Sequence, residues 1–178
     1  MVQDKNNDTQ TNAKIGTLAF ASLTLAGCAY LGLGSPDPRW ADYTSWTKIN
    51  EEPITGDHTH ILGNLHQGSS GYRDIYVNDV GRDTLLDPEG PYKYPVGTVI
   101  VKEQYRNQAA YERGGRPGVT VMLKVEDSNP TQASDWQWSR GYTMTAREDD
   151  FCSACHMAAY NSDLNFVNGA SLPDFLTQ

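Results

Sequence analysis

The chain has 178 residues, a formal net charge of −8 and a sequence pI of about 4.8, the size of one domain with a short extension. That acidity speaks against nucleic acid or an anionic membrane surface as a partner held by charge. It leaves either a surface charged for solubility or one suited to a basic redox partner protein.

Residues 1–14 are polar and 15–26 form an apolar run that ends in Leu25-Ala26-Gly27-Cys28. This ending resembles a bacterial lipobox, in which the cysteine is lipidated, here Cys28. Lys5 and Lys14 suit the n-region of an export signal, whereas Asp4 and Asp8 weaken it. An uncleaved membrane helix is the rival reading, because residues 15–34 hold no charge and are long enough to span a bilayer. Either way the folded part is expected outside the cytoplasm, attached to the membrane by its N-terminus. We divide the chain into 1–34, signal or anchor plus tether, and 35–178, the folded domain.

Asp37-Pro38 reads as an N-cap followed by proline at the first helical position, which predicts a short amphipathic helix running to about Ile49. Residues 51–70 are irregular and hold His58, His60 and His66. From Tyr72 the pattern turns to strands. Residues 72–78 are rich in β-formers and end at the turn signal Asn78-Asp79; 87–95 is loop; 98–105 and 119–125 are strands entered through Gly and Pro. Residues 136–146 alternate, with Trp136, Trp138, Tyr142 and Met144 on one face and Gln137, Ser139, Thr143 and Thr145 facing solvent. The fold class expected is α+β: mainly an antiparallel sheet of four strands with one covered face, and a few helices.

Cys152-Ser153-Ala154-Cys155-His156 carries the chemistry. C-x-x-C-H is the attachment signal of a c-type haem: two thiols take the vinyl groups and the adjacent imidazole ligates the iron. Two other readings use fewer of its features. A redox disulfide has no need of the histidine, and a zinc site needs further ligands from elsewhere. Few residues follow His156, and Met157 is too close to reach the opposite face of a ring. The distal side of a haem must therefore come from upstream, which sets the chain apart from small helical cytochromes c.

Taken together, Arg73-x-x-Tyr76-Val77, Gly97-Thr98-Val99-Ile100-Val101-Lys102-Glu103, Trp136-x-Trp138, the Cys-x-x-Cys-His motif and Asp163-x-x-Phe166-Val167 resemble the cytochrome P-460 and cytochrome c′-beta family over about residues 38–168. The resemblance implies a mostly antiparallel β fold, often dimeric, with a single covalently attached haem c packed near the C-terminus. Its iron would be open on one side to hydroxylamine, which is oxidised, or to nitric oxide, which is bound. It implies thioether bonds at Cys152 and Cys155, His156 as the iron ligand, Lys102 joined to the haem ring, and Arg73 near the pocket. The alternative is a six-coordinate electron-transfer subunit of a membrane complex, with a histidine, Met122 or Met144 as the sixth ligand.

The strand pattern itself places Lys102 with Ile100 and Gln104, opposite Val99, Val101 and Glu103. Such a lysine either faces the haem, where burial lowers its pKa, or covers apolar surface with its stem while the amine reaches water. Oxidation of hydroxylamine releases protons, so Glu148, with Asp149 and Asp150, is the candidate base; a solvated acidic loop is the other reading. Family pockets tend to be lined by Phe, and here only Phe151 and Phe166 lie near the motif. His58, His60 and His66 are either loop histidines or the source of a sixth ligand.

Overall fold

The computed structural model describes Met1 and residues 34–176. Cys28 and the apolar segment before it lie outside the described residues. Among the described residues no helix is long and apolar enough to cross a membrane.

Five antiparallel strands follow one another in the sheet in chain order: β1 (Thr47–Lys48), β2 (Tyr72–Val77), β3 (Val99–Tyr105), β4 (Gly118–Lys124) and β5 (Trp136–Ser139). Each central strand is a run of β-branched and aromatic residues punctuated by Gly, Pro or Asn, which explains why β2, β3 and β4 form where the pattern places them. The register sets Lys102 between Ile75 and Thr120, and Met122 between Ile100 and Trp138.

The expectation of a single covered face is corrected. Ile75, Val77, Ile100, Met122, Trp136 and Trp138 pack on one side with Leu85, Tyr94, Leu164 and Val167. Val99, Val101, Val121 and Leu123 pack on the other with Trp40 and Tyr43. Strands buried on both faces lose the strict alternation from which a one-sided sheet is read.

Three local expectations also change. Residues 38–49 form turns, a 3₁₀ turn at Tyr43–Ser45 and β1 in place of a helix; Trp40 donates its indole N–H to the Tyr142 carbonyl at 2.9 Å, which fixes the turn on the second face. The strand at 136–146 stops at Ser139, whose hydroxyl lies 2.7 Å from the Gly141 carbonyl and 2.8 Å from that of Met144, its one proton shared between them, and folds the chain into a turn. Ser139 is therefore buried and Met144 exposed, the reverse of the alternation. Asn78 caps a helix, α1 (Asp79–Leu86), by accepting from the Gly81 N–H. Turn and N-cap use the same side-chain chemistry, so the motif alone could not separate them. Among the described residues there are three further α-helices: α2 (Gln108–Glu112), α3 (Asp150–His156) and α4 (Leu172–Leu176).

Candidate functional site

A helix places residues i, i+3 and i+4 on one side. Cys152, Cys155 and His156 have that spacing on α3, and all three line a cavity of about 250 Å³. The opposite wall is the first face of the sheet: Ile75, Ile100, Lys102, Gln104 and Met122, with Trp138 of β5. Phe166 and Val167 close it from the segment after α3.

The helix is anchored at its start. Asp149 accepts from the Cys152 N–H at 3.0 Å as N-cap. Arg140 holds the same carboxylate through both oxygens, at 2.7 and 2.6 Å. These bonds keep the Asp149 carboxyl well below the usual range, Arg140 first and the Cys152 backbone after it. Asp149 thus positions the helix and is not a base in the cavity. Glu148 is exposed and lines neither this cavity nor its neighbour, and Asp150 is exposed as well.

His156 is buried and wedged between Trp138 (ring centres 4.5 Å apart) and Phe166 (5.2 Å). Its Nδ1 lies 2.7 Å from the Leu164 carbonyl oxygen. A carbonyl only accepts, so Nδ1 carries the proton and Nε2 keeps its lone pair, the form that ligates a metal. Burial, then the Lys102 ammonium, hold the ring down to about 4, against the opposing pull of the Leu164 carbonyl.

Leu164 itself is placed by a buried ion network. The Lys124 Nζ lies 2.7 and 2.8 Å from the Asp163 oxygens and 3.6 Å from Asp135. The Tyr94 N–H donates to Asp163 at 2.9 Å. All three charged side chains are inaccessible or nearly so. The network ties the segment after the motif to the ends of β4 and β5, next to the residue whose carbonyl orients His156.

Lys102 does face the cavity, as strand parity required. Burial, and then Arg73, bring its amine down to about 8. Arg73 is buried on β2 and turns its guanidinium toward backbone: to the carbonyls of Gly56, Gly68 (3.5 Å) and Gly71 (3.3 Å). It is the clamp of the 54–71 loop.

Of the three loop histidines, His66 alone lines the cavity, and it also lines a second one of about 60 Å³ beside it. His66, Gln67 and Gly68 have φ of 50°, 68° and 64°. Left-handed backbone costs about 1–3 kcal/mol for a non-glycine residue. At Gly68, with ψ −161°, only glycine fits, and a side-chain carbon would meet the Gly63 carbonyl oxygen at 2.9 Å. The His66 ring is held down to about 3, by the Lys102 ammonium first and then by burial. Nothing in the spacing of 51–70 singled out His66, because an irregular loop has no period from which to read direction.

The donor set fits a covalently attached haem. Two free thiols and an Nε2 lone pair share one wall, and apolar side chains make up most of the others. The Trp138 indole N–H, buried at the cavity, has no partner among the described residues and would be satisfied by an acceptor on a bound group. Among the described residues no cluster of three or more His, Cys, Asp or Glu is placed to chelate a metal unaided.

A family model, Cytochrome P460, matches residues 40–167, most of the chain and every element that builds the cavity. No curated protein matches the chain.

Proposed function

We propose, since this chain belongs to the cytochrome P460 family, that its haem c is joined to Cys152 and Cys155, ligated by His156, and used to bind nitric oxide on the opposite face. When bound, the haem supplies an iron that takes small ligands and exchanges electrons. The observation that carries this reading is the state of His156. Its Nδ1 is committed to Leu164, its Nε2 is free for a metal, and both thiols stand on the same cavity wall.

Nitric oxide asks less of this wall than hydroxylamine does. Oxidising hydroxylamine removes protons and calls for a base. The described residues that line the two cavities include His66, Lys102, Arg73 and Arg140 but no Asp or Glu. An uncharged diatomic ligand needs no proton acceptor.

One observation favours hydroxylamine oxidation as a second reading. The Lys102 amine, at about 8, is partly unprotonated near neutral pH, so it can act as a base or bond to the ring as a nucleophile. Electrons would then pass to a soluble redox protein. Digestion and mass spectrometry of the haem peptide separate the two. The first reading expects haem on the 152–155 peptide alone and a spectrum that shifts when nitric oxide is added to the ferrous protein. A species that also contains the Lys102 peptide establishes the second. A chain without haem defeats both.

Covalent haem attachment takes place outside the cytoplasm, so the 15–28 segment would deliver the domain there, by lipid at Cys28 or as an uncleaved helix. The intact mass of the native N-terminus tells these apart.

A further inference from the structure

His66 and His156 line the same cavity, with ring centres 6.5 Å apart and ring planes at 85°. Two imidazoles that each bind one metal through a single nitrogen at about 2 Å, from opposite sides, have ring centres roughly 6 Å apart. The observed separation is close to that distance. His58 and His60 line neither cavity, so the geometry selects one histidine of the three.

The surroundings of His66 are those of a held ligand. Its ring lines the cavity together with Gln104, whose side chain donates to Thr120 Oγ1 at 2.9 Å. Arg73 holds the loop through the carbonyls of Gly68, the last residue of the left-handed stretch, and Gly71, just after it.

We propose that His66 is a second axial ligand of the haem iron, on the face opposite His156, and that nitric oxide enters by displacing it. This rests on the haem placement given under Proposed function and adds a gate to that site. The loop is suited to release: His66 is only partly buried and Gln67 is exposed, so the ring can swing out without opening the core. Uptake would then be limited by departure of His66, not by arrival of the ligand.

The test uses the full haem-loaded chain, with attachment checked by intact mass. Ferric electron paramagnetic resonance reads the spin state, and stopped-flow mixing with nitric oxide reads uptake. His66→Asn removes the ring while keeping a residue that tolerates left-handed backbone. Low-spin wild-type iron is expected, with an uptake rate that levels off as nitric oxide rises. His66→Asn should be high-spin, take up nitric oxide at least tenfold faster at high concentration, and return to low-spin when imidazole is added. His66→Met should stay six-coordinate with an altered spectrum. High-spin wild-type iron, or low-spin iron unchanged in His66→Asn, overturns the proposal. Iron that is low-spin through His66 but admits no nitric oxide upholds the ligand and overturns both displacement and the nitric oxide reading. A chain that carries no haem overturns everything together.

Discussion

Replacing Lys124 with Met tests whether the buried ion network holds the proximal side of the site. Methionine nearly matches lysine in length and leaves no large cavity, so the effect isolates charge. The substitution leaves two inaccessible carboxylates, Asp163 and Asp135, without the ammonium 2.7 and 3.6 Å away. Removing one partner of a buried pair costs about 3–5 kcal/mol, because the remaining charge is uncompensated. The Tyr94 N–H still donates to Asp163, which places the expected loss at the lower end of that range. With a urea dependence of about 2 kcal/mol per molar, the unfolding midpoint should fall by roughly 1.5 to 2 M. Because Leu164 follows Asp163 directly, the His156–Leu164 bond should loosen too, visible as a shifted iron–histidine stretch in resonance Raman spectra of the ferrous protein. Lys124→Met/Asp163→Asn/Asp135→Asn, with no charge left, should recover much of the stability. A midpoint within 0.5 M of wild type for Lys124→Met, a small fraction of the expected cost, would show that the network does not hold this lobe.

Asp149→Ala should cost about 1 kcal/mol through loss of the α3 cap, read as a lower thermal midpoint together with a weaker Arg140 effect in the double mutant. Its carboxyl is depressed by Arg140 in the folded chain. The unfolded state therefore binds the extra proton first as pH falls, and this stabilisation is present above the ordinary carboxylate pKa of about 4 and disappears below it. Asp149→Asn should flatten stability against pH in that acidic window; an unchanged slope argues against the pair. Arg73→Lys keeps the charge but loses the fork that reaches the loop carbonyls, and should leave 54–71 open to limited proteolysis while β3 stays protected. Equal cleavage of both proteins would remove Arg73 from the role of clamp. Gly81→Ala should destabilise by about 1–3 kcal/mol, since the new methyl meets the buried Thr98 side chain; a neutral result in urea would mean that α1 moves freely.

The sequence by itself determined what depends on short-range periodicity. Cys152, Cys155 and His156 fall on one side of a helix because their spacing demands it, and Lys102 faces the cavity because it shares strand parity with Ile100 and Gln104. The three central strands were legible in the same way. The tertiary structure decided whatever depends on residues far apart in the chain. Lys124 meets Asp163 across 39 positions, and Trp138 comes to lie against His156. Asp149 reads as a candidate base in isolation, but Arg140, brought back by the turn after β5, makes it a cap. His66 differs from His58 and His60 in no sequence property. It becomes the cavity histidine because three left-handed residues and the Arg73 clamp turn its ring toward His156, and a loop conformation held by a distant arginine leaves no trace in local pattern.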